Sequence, residues 1–325
     1  MSNAMYFRSF YRGLSIAQQS LVLLGSGVGI GCGHQDGVVG AMHARDAGGD
    51  NQPGDTVFET DFVDNSGVWT VETALSNASA RFGQTDSAAR DGKVVSLTFP
   101  GDASKSAADA VGPAYVTQLE TLGQFAFGTL RTRVKFGACG PNEETIQSIL
   151  GYFSDGSDSD QDGLTDDIEI DLQIACSSPG FVYLTVFTDY DQTAGSERFR
   201  KLSHIVDFAT GTEYDSLADN SDEFVPTGVR PSLVRPGLVN ANSYYELGFT
   251  WQSDAVRFFL VDGAEELTLW NLNDAAHVPQ HPIHLMYNLW HPDSHWFPVT
   301  GAADFPGNDV VMRVDWLRYS LLDVD

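Results

Sequence analysis

From Val57 onward, apolar and polar residues alternate in short runs bounded by Gly, Asp, Asn and Pro, the pattern of half-buried β-strands. The runs Val94–Phe99, Gly128–Phe136, Phe181–Thr188, Tyr244–Trp251, Val256–Val261, Ile283–Leu289 and Val310–Tyr319 predict strands. Helical periodicity is scarce, and only Ala103–Ala110 is expected to form a helical turn or two. Many strands without a βαβ rhythm predict an all-β chain folded as a two-sheet antiparallel β-sandwich. There is no internal repeat. Tyr214–Arg235 is acidic and carries prolines, and it reads as one long loop of the kind that often bears function.

The strictest alternation lies in Ile168-Glu169-Ile170-Asp171-Leu172-Gln173-Ile174. As a strand it sends Ile168, Ile170, Leu172 and Ile174 to one face and Glu169, Asp171 and Gln173 to the other. Three polar groups in line over four aliphatic ones suit the floor of a wet cleft. Alternation alone favours an ordinary half-buried surface strand over a cleft floor.

Charge narrows the possible partners. The chain of 325 residues has 44 acidic and 18 basic side chains, a formal net charge of −26. Such a surface repels phosphate backbones and excludes nucleic acid as a natural partner, whereas a neutral glycan is not repelled. The three cysteines, Cys32, Cys139 and Cys176, include no CxxC pair and are too few for a zinc cage. Cys139 and Cys176 either pair in an oxidising compartment or stay as buried thiols.

The N-terminal region reads as processing sequence. Ser2-Asn3-Ala4 before Met5 matches an expression-tag remnant, and Arg8 and Arg12 precede an apolar stretch running through Leu21–Leu24 to Cys32. That stretch is too short and glycine-rich for a stable membrane-spanning helix. Residues 1–32 are therefore assigned to the remnant and a secretory signal, 33–55 to a linker and 56–325 to the sandwich. Cys32 is a possible lipid-attachment site, with cleavage near Val39-Gly40-Ala41 as the alternative. A secreted or cell-surface monomer without a transmembrane span is expected.

The Ile168–Ile174 stretch resembles the active-site strand of family-16 glycoside hydrolases, which reads Glu-x-Asp-x-Glu. Further motifs follow in the family's order. Gly112-Pro113-Ala114-Tyr115-Val116-Thr117 precedes Phe127-Gly128-Thr129-Leu130-Arg131-Thr132-Arg133; Tyr244–Trp251 leads into Val256–Gly263; Leu285-Met286-Tyr287-Asn288-Leu289-Trp290 is followed by Trp296; and Val314-Asp315-Trp316-Leu317-Arg318 resembles the closing strand. The resemblance covers roughly residues 57–322. It implies a concanavalin-like jelly roll that acts on or binds a β-glucan-type polysaccharide. It also implies Glu169 as nucleophile, Asp171 as its support, and Asn288, Trp290 and Trp296 as substrate contacts. If the family's order of elements holds, the Cα atoms of Cys139 and Cys176 fall within about 7 Å.

Two departures stand out. Gln173 occupies the acid/base position, and the hairpin carries Tyr245 and Leu247 where relatives have His and Tyr. Retaining hydrolysis needs two carboxyl groups about 5–5.5 Å apart. An amide accepts and donates hydrogen bonds but gives no acidic proton at neutral pH. Gln173 is either natural or introduced, and Asp166 or Asp167 are nearby stand-ins off the usual strand position. Hydrolysis is expected to be weak or lost. The alternatives are a non-catalytic carbohydrate-binding protein and a calcium-stiffened adhesin on the same scaffold.

The aromatic residues also have two readings, sugar stacking or core. Trp251 is placed in the core, Tyr287 is left open, and Trp290 and Trp296 lie in a Pro- and His-rich stretch suited to ligand contact. His281, His284, His291 and His295 have no clean metal-ligand spacing for a strand. The segment from Asp158 to Glu169 fits the twelve-position calcium loop Asp-x-Asp-x-Asp-Gly. Asp158, Asp160, Asp162, the Leu164 carbonyl and Asp166 or Asp167 supply the hard oxygens that Ca2+ prefers. Glu169, at position twelve, is expected to stay in the cleft.

Overall fold

A computed structural model describes residues 56–73, 77–105, 116–154, 156, 158, 166–191, 198–218, 221–241 and 243–322. The signal-like segment, the linker and most of Ala103–Ala110 lie outside the described residues. Within them the chain is the expected two-sheet antiparallel β-sandwich of jelly-roll type.

Its strands are β1 (Thr56–Thr60), β2 (Trp69–Thr73), β3 (Ser79–Thr85), β4 (Lys93–Phe99), β5 (Val116–Phe125), β6 (Gly128–Lys135), β7 (Ile146–Phe153), β8 (Ile168–Ala175) and β9 (Phe181–Asp191). There follow β10 (Arg198–Asp207), β11 (Thr212–Ser216), β12 (Phe224–Val229), β13 (Tyr245–Trp251), β14 (Val256–Asp262), β15 (Glu265–Leu272), β16 (Ile283–Trp290) and β17 (Val310–Leu321). One sheet has eight strands in the order β15-β14-β13-β6-β17-β4-β3, with β1 also on β17; the other has nine, β12-β11-β10-β9-β8-β7-β16-β5-β2. No helix among the described residues is long and apolar enough to cross a membrane.

Side-chain alternation builds both layers. In β6, Leu130, Thr132 and Val134 turn inward while Arg131, Arg133 and Lys135 remain half-buried on the outer face. In β8, the four aliphatics Ile168, Ile170, Leu172 and Ile174 enter the core with Leu130, Phe249, Trp251 and Phe258 from the opposite sheet. Trp251 is core, as expected, and its indole N–H donates to the Pro279 carbonyl at 2.9 Å. Tyr287 also faces the core, fully buried, with its hydroxyl 2.7 Å from Thr132 Oγ1, so it is no sugar platform. Its position in β16 alternates with Asn288, and a strand cannot send neighbours to one face.

The long loop expected over Tyr214–Arg235 needs correction. Most of it is structured: the end of β11, strand β12, and a short 3-10 turn at Pro231–Leu233. Pro226 in β12 hid the strand. Among the described residues β12 is the last strand of its sheet and pairs only with β11, and an edge strand tolerates a residue that has no N–H to donate. Cys139 and Cys176 form a disulfide with Cα atoms 5.6 Å apart, tying the end of β8 to the segment that enters β7.

Candidate functional site

Strand β8 sits inside the nine-stranded sheet between β7 and β9. Register places Glu169 between Tyr152 and Phe187, Asp171 between Leu150 and Thr185, and Gln173 between Ser148 and Tyr183. With the aliphatics in the core, Glu169, Asp171 and Gln173 form one column on the sheet's other, concave face. Asn288 and Trp290 reach the same face from β16, beside Ser148 and Ile146 of β7. On the far side, β10 places Lys201 next to Phe187 and Ser203 next to Thr185.

Burial differs along the column. Glu169 is 7% exposed and Asp171 1%, whereas Gln173 is half-buried and donates its amide to Ser148 Oγ at 3.1 Å. Loss of water pushes Glu169 well above the usual carboxylate range; the neighbouring Asp171 and Asp167 add to the rise and Lys201 opposes it. Burial likewise pushes Asp171 up to about 7, against a hydrogen bond from Glu169 and the Lys201 charge. Two carboxyls this close do not both ionise readily, so the pair holds a proton between them near neutrality. Asp167 continues the column and is pushed up to about 6 by burial, despite hydrogen bonds to Tyr152 and Ser154. Among the described residues, one carboxylate oxygen of Asp171 and the amide oxygen of Asn288 are buried without a hydrogen-bond partner.

Beside Gln173 the concave face opens into a hollow of about 540 Å³, counting its mouth. Lys201, Ser203, Thr185 and Gln173 form one side, while Trp296, Phe297 and Phe224 form an aromatic one. Trp296 stands edge-on to Tyr183 at 5.0 Å and to Trp290 at 5.8 Å. Of the expected contacts, the structure brings Gln173 and Trp296 to the hollow. Trp290 packs behind Trp296, and Asn288 is buried farther along the face. Glu169 and Asp171 lie beneath the surface next to the hollow and do not line it.

The aromatic side is anchored from below. The Glu144 carboxylate, fully buried, accepts from the Ser177 N–H at 3.1 Å, from the Ser177 hydroxyl, and lies 3.1 Å from His295 Nδ1. The Tyr183 hydroxyl donates to the Phe297 carbonyl. The Cys139–Cys176 bridge sits beside Ser177, so the turn after β8 and the Trp296 segment are held as one unit.

No family model matches the sequence, and no curated protein matches it. Solved structures with a similar chain course include a Bacillus licheniformis beta-glucanase, at 16% identity over 81% of this chain and 97% of that one, with a TM-score of 0.47. The Crh5 transglycosylase in complex with NAG matches at 16% identity over 83% and 86%, TM-score 0.48. A Bacteroides ovatus glycoside hydrolase family 16 endo-glucanase in complex with G4G3G-2F-DNP matches at 13% identity over 81% and 99%, TM-score 0.48. At these identities and scores the likeness assigns no activity and no residue to this chain.

The expected calcium loop is only partly visible. Asp160, Asp162 and Leu164 lie outside the described residues. Asp158 is half-buried, and the buried Asp166 has a carboxylate oxygen 3.7 Å from His281 Nε2. Glu169 points to the concave face, where it bonds Asp171. The four histidines go separate ways: His281 stacks on Phe153, His284 faces Glu120, His291 packs on Phe305, and His295 meets Glu144.

Sequence reasoning missed Lys201, Ser203, Thr185 and Asp222. A faint signal existed in Lys201-Leu202-Ser203-His204-Ile205, where every second residue faces the hollow side. The buried His204 obscured it, a polar residue that breaks the alternation, stacked on Trp270 at 5.5 Å and held by Asp215 at 2.5 Å.

Proposed function

We propose that this protein holds a β-glucan-type polysaccharide across the concave face of the nine-stranded sheet and has weak or no retaining hydrolysis. The observation that carries this reading is the Glu169–Asp171–Gln173 column on a central strand, running into a hollow with an aromatic side. Glycan rings present C–H faces to aromatic surfaces and hydroxyls to polar side chains, and the hollow offers both. Glu169 occupies the nucleophile position, Asp171 shares its proton and orients it, and Gln173 stands where the acid/base carboxyl would be. Trp296, backed by Trp290, is the stacking surface, and Asn288 offers an unpaired amide oxygen. Screening polysaccharides for both binding and reducing-end release tests the proposal. Binding with slow or no release is the expected result; absence of binding to every β-glucan overturns it.

A second reading, a purely carbohydrate-binding protein, is favoured by the burial of Glu169 and Asp171 away from the hollow. In that case no release occurs even after the acid is restored.

Calcium held by Asp158, Asp160, Asp162, the Leu164 carbonyl and Asp166 would stiffen the loop that feeds β8. This donor set is all hard oxygen, as Ca2+ requires. Chelation is then expected to lower the melting temperature, and Asp160→Ala with Asp162→Ala to abolish that response. An unchanged melting curve refutes it. The chain is read as extracytoplasmic, a reading supported by the Cys139–Cys176 disulfide, since such bonds persist in oxidising compartments.

A further inference from the structure

The hollow contains an ion pair, Lys201 with Asp222, whose lysine also acts on the buried carboxyls of Glu169 and Asp171. Lys201 projects from β10 on the concave face with its side chain 5% exposed, and its ammonium lies 2.6 Å from Asp222 Oδ1. Asp222 belongs to the segment between β11 and β12, and its side chain is 39% exposed. Lysine is seldom buried, because its ammonium is costly to remove from water. The buried Glu169 and Asp171 carboxyls offset part of that cost, whereas a partner as exposed as Asp222 returns little of it. The Phe187 ring centre lies 5.7 Å from the ammonium. The Thr185 and Ser203 hydroxyls, 3.0 Å apart, the Gln173 side chain and Trp296 line the same hollow.

We infer that Lys201 and Asp222 are the specificity pair of a single-sugar subsite, gripping adjacent hydroxyls of a neutral pyranose whose ring packs on Trp296. The inference rests on the polysaccharide reading of the cleft. Ammonium and carboxylate together supply what two neighbouring hydroxyls need, one donor and one acceptor. The pair is neutral as a unit. An acidic sugar would meet Asp222 at once and the −26 charge of the chain on approach.

The experiment measures binding of mixed-linkage β-glucan oligosaccharides, laminari-oligosaccharides and their monodeoxy derivatives by calorimetry, with polygalacturonate as an anionic arm. Wild type, Lys201→Met and Asp222→Asn are compared, each checked for an unchanged melting profile. Lys201→Met should weaken binding of the neutral glycan by about 10- to 100-fold, the value of hydrogen bonds to a charged group. Removing the sugar hydroxyl that Lys201 grips should weaken wild type but leave Lys201→Met unaffected, an interaction a merely structural lysine would not show. Asp222→Asn keeps one acceptor and should lose less affinity. Equal binding by wild type and Lys201→Met overturns the subsite and leaves the polysaccharide reading standing. Wild-type binding to polygalacturonate alone overturns the neutral-sugar assignment. Should Lys201→Met unfold, the deoxy series on Asp222→Asn decides: an undiminished hydroxyl effect sinks the pair. Binding of no glycan by wild type removes both readings together.

Discussion

The two sheets handle charge in opposite ways. On the outer face of the eight-stranded sheet, Arg131, Arg257 and Arg318 meet opposite charges at the surface, and Arg133 pairs with the buried Asp315. Arg131 bridges Glu246 at 2.5 Å and Glu266, Arg257 joins Glu266 at 2.6 Å, and Arg318 and Arg90 share Glu59 at 2.8 and 3.2 Å. These side chains are 30–41% exposed, so water and salt carry much of their energy. On the concave face of the nine-stranded sheet, Glu169 and Asp171 are buried side by side with like charge, opposed by Lys201. The outer lattice is what a fold accumulates for solubility. The inner pair costs stability, and costly burial of like charges is characteristic of sites that do chemistry or binding. The concave face is also fastened from outside, by the Cys139–Cys176 bridge and the buried Glu144 under the Trp296 segment.

The sharpest test of this contrast is to complete the inner column. Gln173→Glu restores the missing carboxyl and is expected to raise β-glucan hydrolysis by at least roughly 100-fold, with retention of anomeric configuration. Glu169→Ala in that background should abolish the gain, as read by reducing-end release. If the restored protein binds glycan and releases nothing, the inner face is a binding surface only.

The second test uses the proton. Glu169 and Asp171 both titrate above their unfolded values, so between the two the folded chain binds the extra proton. Their contribution to stability is fully present below about pH 4 and is lost as the pH climbs through Asp171's value of about 7. Asp171→Asn should flatten that decline by an amount on the order of a few kcal/mol, measured by denaturant unfolding at about pH 5 and about pH 8. Parallel profiles for the two proteins would show that the pair is not strained.

Cutting the fastening comes next in size. Cys176→Ser should cost about 2–4 kcal/mol in unfolding free energy. If the Trp296 segment depends on this corner, glycan affinity should fall as well, and a loss of stability alone would separate the two. The smallest effect belongs to the outer lattice. Arg131→Ala should cost no more than about 1 kcal/mol, a loss that shrinks in high salt and leaves glycan binding unchanged. A salt-insensitive loss of several kcal/mol would erase the distinction between the faces.

Much of this fold can be read directly from the chain, because a β-strand reports its environment locally. The alternation of Ile168–Ile174 was enough to divide the core face from the cleft face, since successive side chains must point opposite ways. The runs at Val94–Phe99 and Val256–Val261 fall inside β4 and β14. Alternation fails where both faces are covered: β7, Ile146–Phe153, is buried along most of its length and shows no period of two. It also fails at an edge, where Pro226 disguised β12. The nature of the column, carboxyl-carboxyl-amide, was therefore written in the sequence. Its depth was not, because burial depends on what lies above the sheet. Nor was the hollow, whose two sides come from β10 and from the segment after β16, nearly a hundred residues apart along the chain. Lys201, Asp222 and Trp296 carry no common local signal; only the order of strands across the sheet brings them to one place, and that order is decided by the packing of the whole sandwich.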